Sequence, residues 1–208
     1  MFDIDRLIVS FDRGLRTVLA PAVSVRAVPG DDLSDAQMDP AQRVRAASLM
    51  RVNHTGEICA QALYQGQALT ARSTEAQSAL ERAAQEETEH LAWTERRIAE
   101  LGGRKSVLNP VWYAGSFVLG AAAGLLGDRW SLGFLAETER QVVEHLDGHL
   151  RKLPADDQKS RAIVGEMRVD EERHATTARE HGAEELPGPA RLLMRIASGV
   201  MTRTSYWI

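Results

Sequence analysis

The chain has 208 residues, a formal net charge of −4 and a single cysteine. That length fits one domain with appendages and suffices to bury a core. The charge provides no basic field for nucleic acid. One thiol excludes a disulfide framework, a Cys-rich zinc site and an iron–sulfur site, and it fits a reducing compartment.

Residues 1–21, MFDIDRLIVSFDRGLRTVLAP, have charges breaking every apolar run and do not read as a secretory signal. They read as a short amphipathic helix with Ile4, Leu7, Ile8, Phe11 and Leu15 on one side. The expectation is a helix that docks on the bundle and covers it. Residues 21–39 hold Pro29-Gly30-Asp31-Asp32 and no sustained periodicity, which marks a connector.

A helix is expected over 40–71, because proline in a first turn lacks only an N–H that has no helical partner there. Its inner stripe is Ala46, Met50, Asn53, Glu57, Ala60, Tyr64 and Ala68. Cys59 points about 200° away from Glu57 and is expected to be a small packed side chain. The next helix, over 74–101, opens on Thr74 and Gln77, which resemble a capping box, and stops at Gly102-Gly103. Its stripe is Leu80, Ala84, Glu87, Leu91, Thr94, Ile98 and Leu101. Glu81, Arg82, Glu86, Glu89, Arg96 and Arg97 fall off that stripe and are expected to be solvated.

Residues 106–127, SVLNPVWYAGSFVLGAAAGLLG, contain no charge. After the break at Asn109-Pro110, the helical part is about 24 Å long against a hydrocarbon core of about 30 Å. A long crossover between the second and third bundle helices is therefore favoured over a membrane span. Its surplus apolar surface suits a membrane surface or a greasy ligand.

The helix over 131–153 has the stripe Leu132, Leu135, Glu139, Val142, Leu146, His149 and Leu153, with Glu137 pointing away and Pro154 ending it. The helix over 155–185 begins with Asp156 and Asp157, which suit a positive N-terminus. Its stripe is Val164, Met167, Glu171, His174, Ala178 and His181. Residues 187–208 form a further amphipathic helix, whose Arg191, Arg195, Arg203, Tyr206 and Trp207 suit packing or an anionic membrane surface equally.

Each of the four stripes is thus interrupted by one glutamate. Glu87 and His90, like Glu171 and His174, are three residues apart and share a helix face. With Glu57 and Glu139 before them the order is E, E-x-x-H, E, E-x-x-H, the ligand set of ferritin-like dinuclear carboxylate proteins. Burying one uncompensated carboxylate costs several kcal/mol, and four would exceed the usual stability of a domain. Lysine and arginine are absent from the stripes, so two divalent cations are the expected compensation. Oxygen-rich sites with one imidazole per ion suit iron or manganese better than zinc. The expected fold is an all-α, ferritin-like four-helix bundle over 40–186, with a long apolar crossover helix and amphipathic terminal helices in 1–39 and 187–208. Asn53, His54 and Asp170 are candidates to orient the ligands. His145, His149 and His181 are expected to be ordinary hydrogen-bonded side chains.

RVNHTGEICAQALYQGQ around Glu57, EETEHLAW around His90, LAETERQVVEHL around Glu139 and DEERHATTARE around His174 resemble the di-iron demethoxyubiquinone hydroxylases of ubiquinone biosynthesis. The resemblance spans about 51–185, and Arg51 to Glu57 is its most specific piece. Members of that family often carry Asp where this chain has Asn53. The resemblance implies two iron ions, one served by Glu57, Glu87 and His90 and the other by Glu139, Glu171 and His174, with some glutamates bridging. It implies hydroxylation of a polyprenylated demethoxybenzoquinol with dioxygen as co-substrate, at the cytoplasmic face of the cell membrane. The electron donor is then the quinol or NADH; no G-x-G-x-x-G dinucleotide motif is present. Candidate partners are the lipid-soluble quinone, the membrane surface, other ubiquinone-biosynthesis proteins and further copies of the chain, and not nucleic acid. The competing readings are a ferritin-like iron-oxidising or storage protein and a non-catalytic helical protein that binds quinone or lipid.

Overall fold

The computed structural model describes residues 4–208, and among the described residues all regular structure is helical. The elements are α1 (Ile4–Leu19), α2 (Pro40–Thr70), α3 (Thr74–Glu100), α4 (Asn109–Leu125), α5 (Asp128–Lys152), α6 (Gln158–Glu180) and α7 (Gly188–Trp207). Asp39 begins α2 with a capping box, its side chain accepting from the Gln42 N–H while Gln42 reaches back. The box expected at Thr74 is not the cap of α3. Ser73 is, one residue earlier, accepting from the Ala76 N–H. The α6 helix also ends before the expected 185, at Glu180, with Gly182 at φ of +87° just beyond it.

Helices α2, α3, α5 and α6 form the bundle. The α2–α5 pair is antiparallel: Gln67 bonds Ser131, Tyr64 bonds Glu139, and Asn53 bonds His149. The α3–α6 pair is antiparallel too, with Arg97 bonding Ser160, His90 bonding Asp170 and Glu86 bonding His174. Two apolar clusters fill the interior. One contains Met50, Trp93, Leu146 and Met167, the other Tyr64, Leu80, Leu135 and Ala178. The four stripe glutamates lie between them in every helix.

The crossover is α4, which runs alongside α2 in the same direction. Asn109 meets Thr55 at one end and Gly124 meets Thr70 at the other. At 17 residues it is about 26 Å long, enough to return the chain along the bundle. Glycine sets how close it comes. A Cβ on Gly120 would lie 2.1 Å from the Leu63 carbonyl oxygen, and one on Gly66 would lie 2.3 Å from that of Phe117. The outer side of α4 remains apolar and open at Val111, Val118, Leu119 and Leu125.

Helix α1 docks on the bundle as expected, but not through its apolar stripe. Its apolar stripe faces outward, with Ile4 and Phe11 each 69% exposed. The helix docks instead through Gly14 against Tyr113 and through Arg6, which donates to the Ala68 carbonyl. Among the described residues no helix is long and apolar enough to cross a membrane.

Two charges expected in solvent are buried. Glu89 is 4% exposed and accepts from the Val25 and Arg26 N–H groups and the Ser24 hydroxyl, so it fastens the connector to α3. Arg97 is 1% exposed and pairs with Asp157, Asp35 and Glu100. Three carboxylates and the Ser160 hydroxyl satisfy its fork, which is the condition for keeping a buried guanidinium.

A candidate dinuclear metal centre

All six sequence-predicted ligands converge between the two apolar clusters. Glu57, Glu87, His90 and Glu171 each offer one atom to a group spanning no more than 4.8 Å, and Glu87, Glu139, Glu171 and His174 form a second such group. Glu87 and Glu171 belong to both. The Nδ1 atom of His90 lies 3.1 Å from Glu171, 3.3 Å from Glu87 and 3.7 Å from Glu57. The Nδ1 atom of His174 lies 3.2 Å from Glu171, 3.6 Å from Glu139 and 3.8 Å from Glu87. All six residues are buried.

Each imidazole is oriented from the opposite helix. The Nε2 of His90, on α3, is 3.0 Å from Asp170 on α6; the Nε2 of His174, on α6, is 2.8 Å from Glu86 on α3. Each of these acids immediately precedes the Glu of its own helix's E-x-x-H. Burial acts to raise Asp170, but hydrogen bonds from His90 and Arg26 outweigh it and hold the carboxyl down at about 2. An ionised carboxylate only accepts, so Nε2 of His90 carries a proton toward Asp170 and Nδ1 is the ring atom left facing the cluster. Arg173 pairs with both acids, and Arg26 pairs with Asp170 while stacking on Trp93. Tyr64 donates its hydroxyl to Glu139.

Burial pushes the Glu87 carboxyl well above its usual range, and Glu171 and Glu57 add to the shift. Burial and Glu171 push Glu139 up to about 8. Burial disfavours charge on His90 and His174, but the facing carboxylates outweigh it and raise both. Glu171 goes the other way, because His174 and His90 outweigh its burial. Both Glu87 oxygens, Glu139 Oε2, Glu171 Oε1 and His90 Nδ1 make no hydrogen bond. Buried polar atoms of native proteins are ordinarily paired. Unpaired carboxylate oxygens gathered at one point, with the Nδ1 atoms of two imidazoles facing them, fit a pair of divalent cations.

The other candidates fall elsewhere. His54 meets Asn109 Nδ2 at 3.4 Å, rather than Glu57. The Asn53 side-chain oxygen meets His149 Nδ1 at 2.6 Å, rather than a ligand. His181 is exposed and bonds the Thr177 carbonyl. Sequence reasoning missed Glu86, Tyr64, Arg26 and Arg173. The acid directly before each E-x-x-H was the available signal for Glu86, as for Asp170; for Tyr64 it was its place on the Glu57 stripe, and Arg26 left none.

A cavity of about 240 Å³ opens beside the cluster, between α2, α4, α5 and α7. Glu57 lines it together with Leu63, Trp112, Phe134, His145 and Met201. Cys59 also lines it, half-buried rather than packed away.

Residues 44–205 match the family model described as ubiquinone biosynthesis protein COQ7. A protein of Nitrosospira multiformis named 3-demethoxyubiquinol 3-hydroxylase is 64% identical over 208 residues, covering 100% of both chains. Its namesake from Nitrosomonas europaea is 61% identical with 100% of both covered. That of Dechloromonas aromatica is 65% identical over 202 residues, 97% of this chain and 98% of the relative.

Proposed function

Because this chain belongs to the COQ7 family of ubiquinone biosynthesis proteins, we propose that its buried cluster holds two iron ions and serves a 3-demethoxyubiquinol 3-hydroxylase. The enzyme is an oxidoreductase of the monooxygenase kind, acting on a lipid-soluble quinone. It puts one atom of dioxygen on the ring and releases the other as water. The observation that carries this reading is the pair of ligand groups sharing Glu87 and Glu171 beside an apolar cavity that reaches Glu57.

Glu57, Glu87 and His90 would hold one ion and Glu139, Glu171 and His174 the other, Glu87 and Glu171 belonging to both groups. When bound, iron supplies the redox chemistry with dioxygen. The chain supplies the rest. Asp170 and Glu86 fix the imidazole tautomers, and Tyr64 holds Glu139. The apolar cavity admits the ring and excludes bulk water, which strengthens every electrostatic contact at the cluster. Electrons come from the quinol or from a nicotinamide donor.

The open apolar residues of α1, α4 and α7 are proposed to rest on the cytoplasmic face of the cell membrane, so that the prenyl chain stays in lipid while the ring enters. The names of the relatives and the apolar cavity favour a hydroxylase over an iron store. The deciding experiment loads the protein with iron under anaerobic conditions, quantifies the metal, admits dioxygen with demethoxyquinol and follows products by mass. A gain of one oxygen atom on the ring supports the reading; iron oxidation with no organic product sinks it.

A further inference from the structure

His145 on α5 lines the same cavity as Glu57, six residues along the helix from Glu139. Its Nε2 is buried and has no hydrogen-bond partner. The wall around it is largely apolar, with Val52, Leu63, Trp112, Phe134 and Leu146. A few polar side chains on a largely apolar wall are the usual device for fixing a ligand's orientation. The ring behind His145 is itself held in place. His149 stands 4.0 Å away, centroid to centroid, and its Nδ1 is 2.6 Å from the Asn53 side-chain oxygen. That oxygen only accepts, so Nδ1 of His149 carries the proton.

Burial lowers His145 to about 4, with Lys152 adding to the effect. The imidazole is therefore neutral near pH 7 and offers one donor and one acceptor. A neutral ring with a free nitrogen can bind a phenolic hydroxyl or a quinone carbonyl. It cannot neutralise an anion.

We propose that His145 is a positioning residue, which hydrogen-bonds one ring oxygen of the substrate and so sets which ring carbon faces the Glu57 side of the cluster. The proposal rests on the hydroxylase reading above. His149, itself held by Asn53, packs against the His145 ring.

The test uses the full iron-loaded protein, a short-prenyl demethoxyquinol, and two monophenol analogues that each lack one ring hydroxyl. Anaerobic binding is read from quenching of Trp112, which lines the cavity. The parent should bind one monophenol about tenfold more weakly than the quinol, the value of one hydrogen bond. His145→Leu should bind the quinol and that monophenol alike, and should lose about tenfold in kcat/KM. Its iron content and thermal midpoint should match the parent, and His145→Gln should recover part of the loss. Unchanged kcat/KM in His145→Leu, discrimination retained by it, or a loss that tracks missing iron would each overturn the proposal. If the parent binds quinol but forms no hydroxylated product, the hydroxylase reading fails instead, and the binding comparison still decides the role of His145.

Discussion

Asp170 on α6 accepts a hydrogen bond from Nε2 of His90 on α3 at 3.0 Å, and the mirror contact from Glu86 to His174 ties the same two helices the other way. The two E-x-x-H helices therefore orient one another's imidazoles. Weakening that contact should leave the six ligands in place but loosen the metal. Asp170→Asn is expected to lower iron affinity by about 10–100-fold, with a smaller effect for Glu86→Gln because Glu86 is more exposed. Competition with a chelator measures it; equal affinities in parent and Asp170→Asn would remove Asp170 from this role.

Sharing of Glu87 and Glu171 makes the ligands unequal. Glu171→Ala or Glu87→Ala should abolish hydroxylation and bring bound iron close to zero, since each serves both groups. Glu57→Ala touches one group only and should retain about half the iron. Metal analysis of the purified variants decides. Full iron in Glu171→Ala would remove Glu171 from the metal site.

Three histidines outside the cluster should make the fold acid-sensitive. Burial pushes His54 down to about 3, His145 to about 4 and His149 to about 2, from 6.5. A depressed pKa contributes stability above the unfolded value, and that stability is lost as pH falls through it. The loss therefore starts near pH 6.5 and involves all three groups down to about pH 4. By pH 5 it should reach roughly 2 kcal/mol per histidine. Urea midpoints at pH 7 and pH 5 read it out. His54→Gln, with nothing to titrate there, should lose less than the parent; an identical loss would refute this account of His54.

Close contact of α4 with α2 predicts opposite outcomes for two glycines of the same helix. Gly120→Ala drives a Cβ into the Leu63 backbone and should cost at least about 2–3 kcal/mol. Gly115→Ala meets nothing within 4 Å and should gain up to about 1 kcal/mol from helix propensity. Thermal midpoints compare them. Equal shifts would mean that α4 does not sit this close.

The open side of α4 should matter for lipid and not for metal. Val118 and Leu125 are 66% and 63% exposed. Changing both to serine should reduce co-sedimentation with vesicles of anionic phospholipid while bound iron stays constant. Unchanged partition would count against a membrane role for this face.

The repeat of helical period was enough to place Glu57, Glu87, Glu139 and Glu171 inward and to identify an all-α bundle with a crossover. The reason is that a 3.6-residue period is a local property: it fixes which side chains share a face before any other helix arrives. The same locality is why Glu89 and Arg97 were misjudged. Both fall off the bundle stripe, and only the return of the connector and of Asp157 buries them. Amphipathicity likewise reported that α1 has an apolar face but not what it meets; the helix packs through Gly14 on Tyr113 and leaves that face outward. Which acid orients which histidine, and that Glu57 and His145 share one cavity, follow from the approach of helices distant in sequence. Such contacts depend on interhelical distance and rotation, which no single helix encodes.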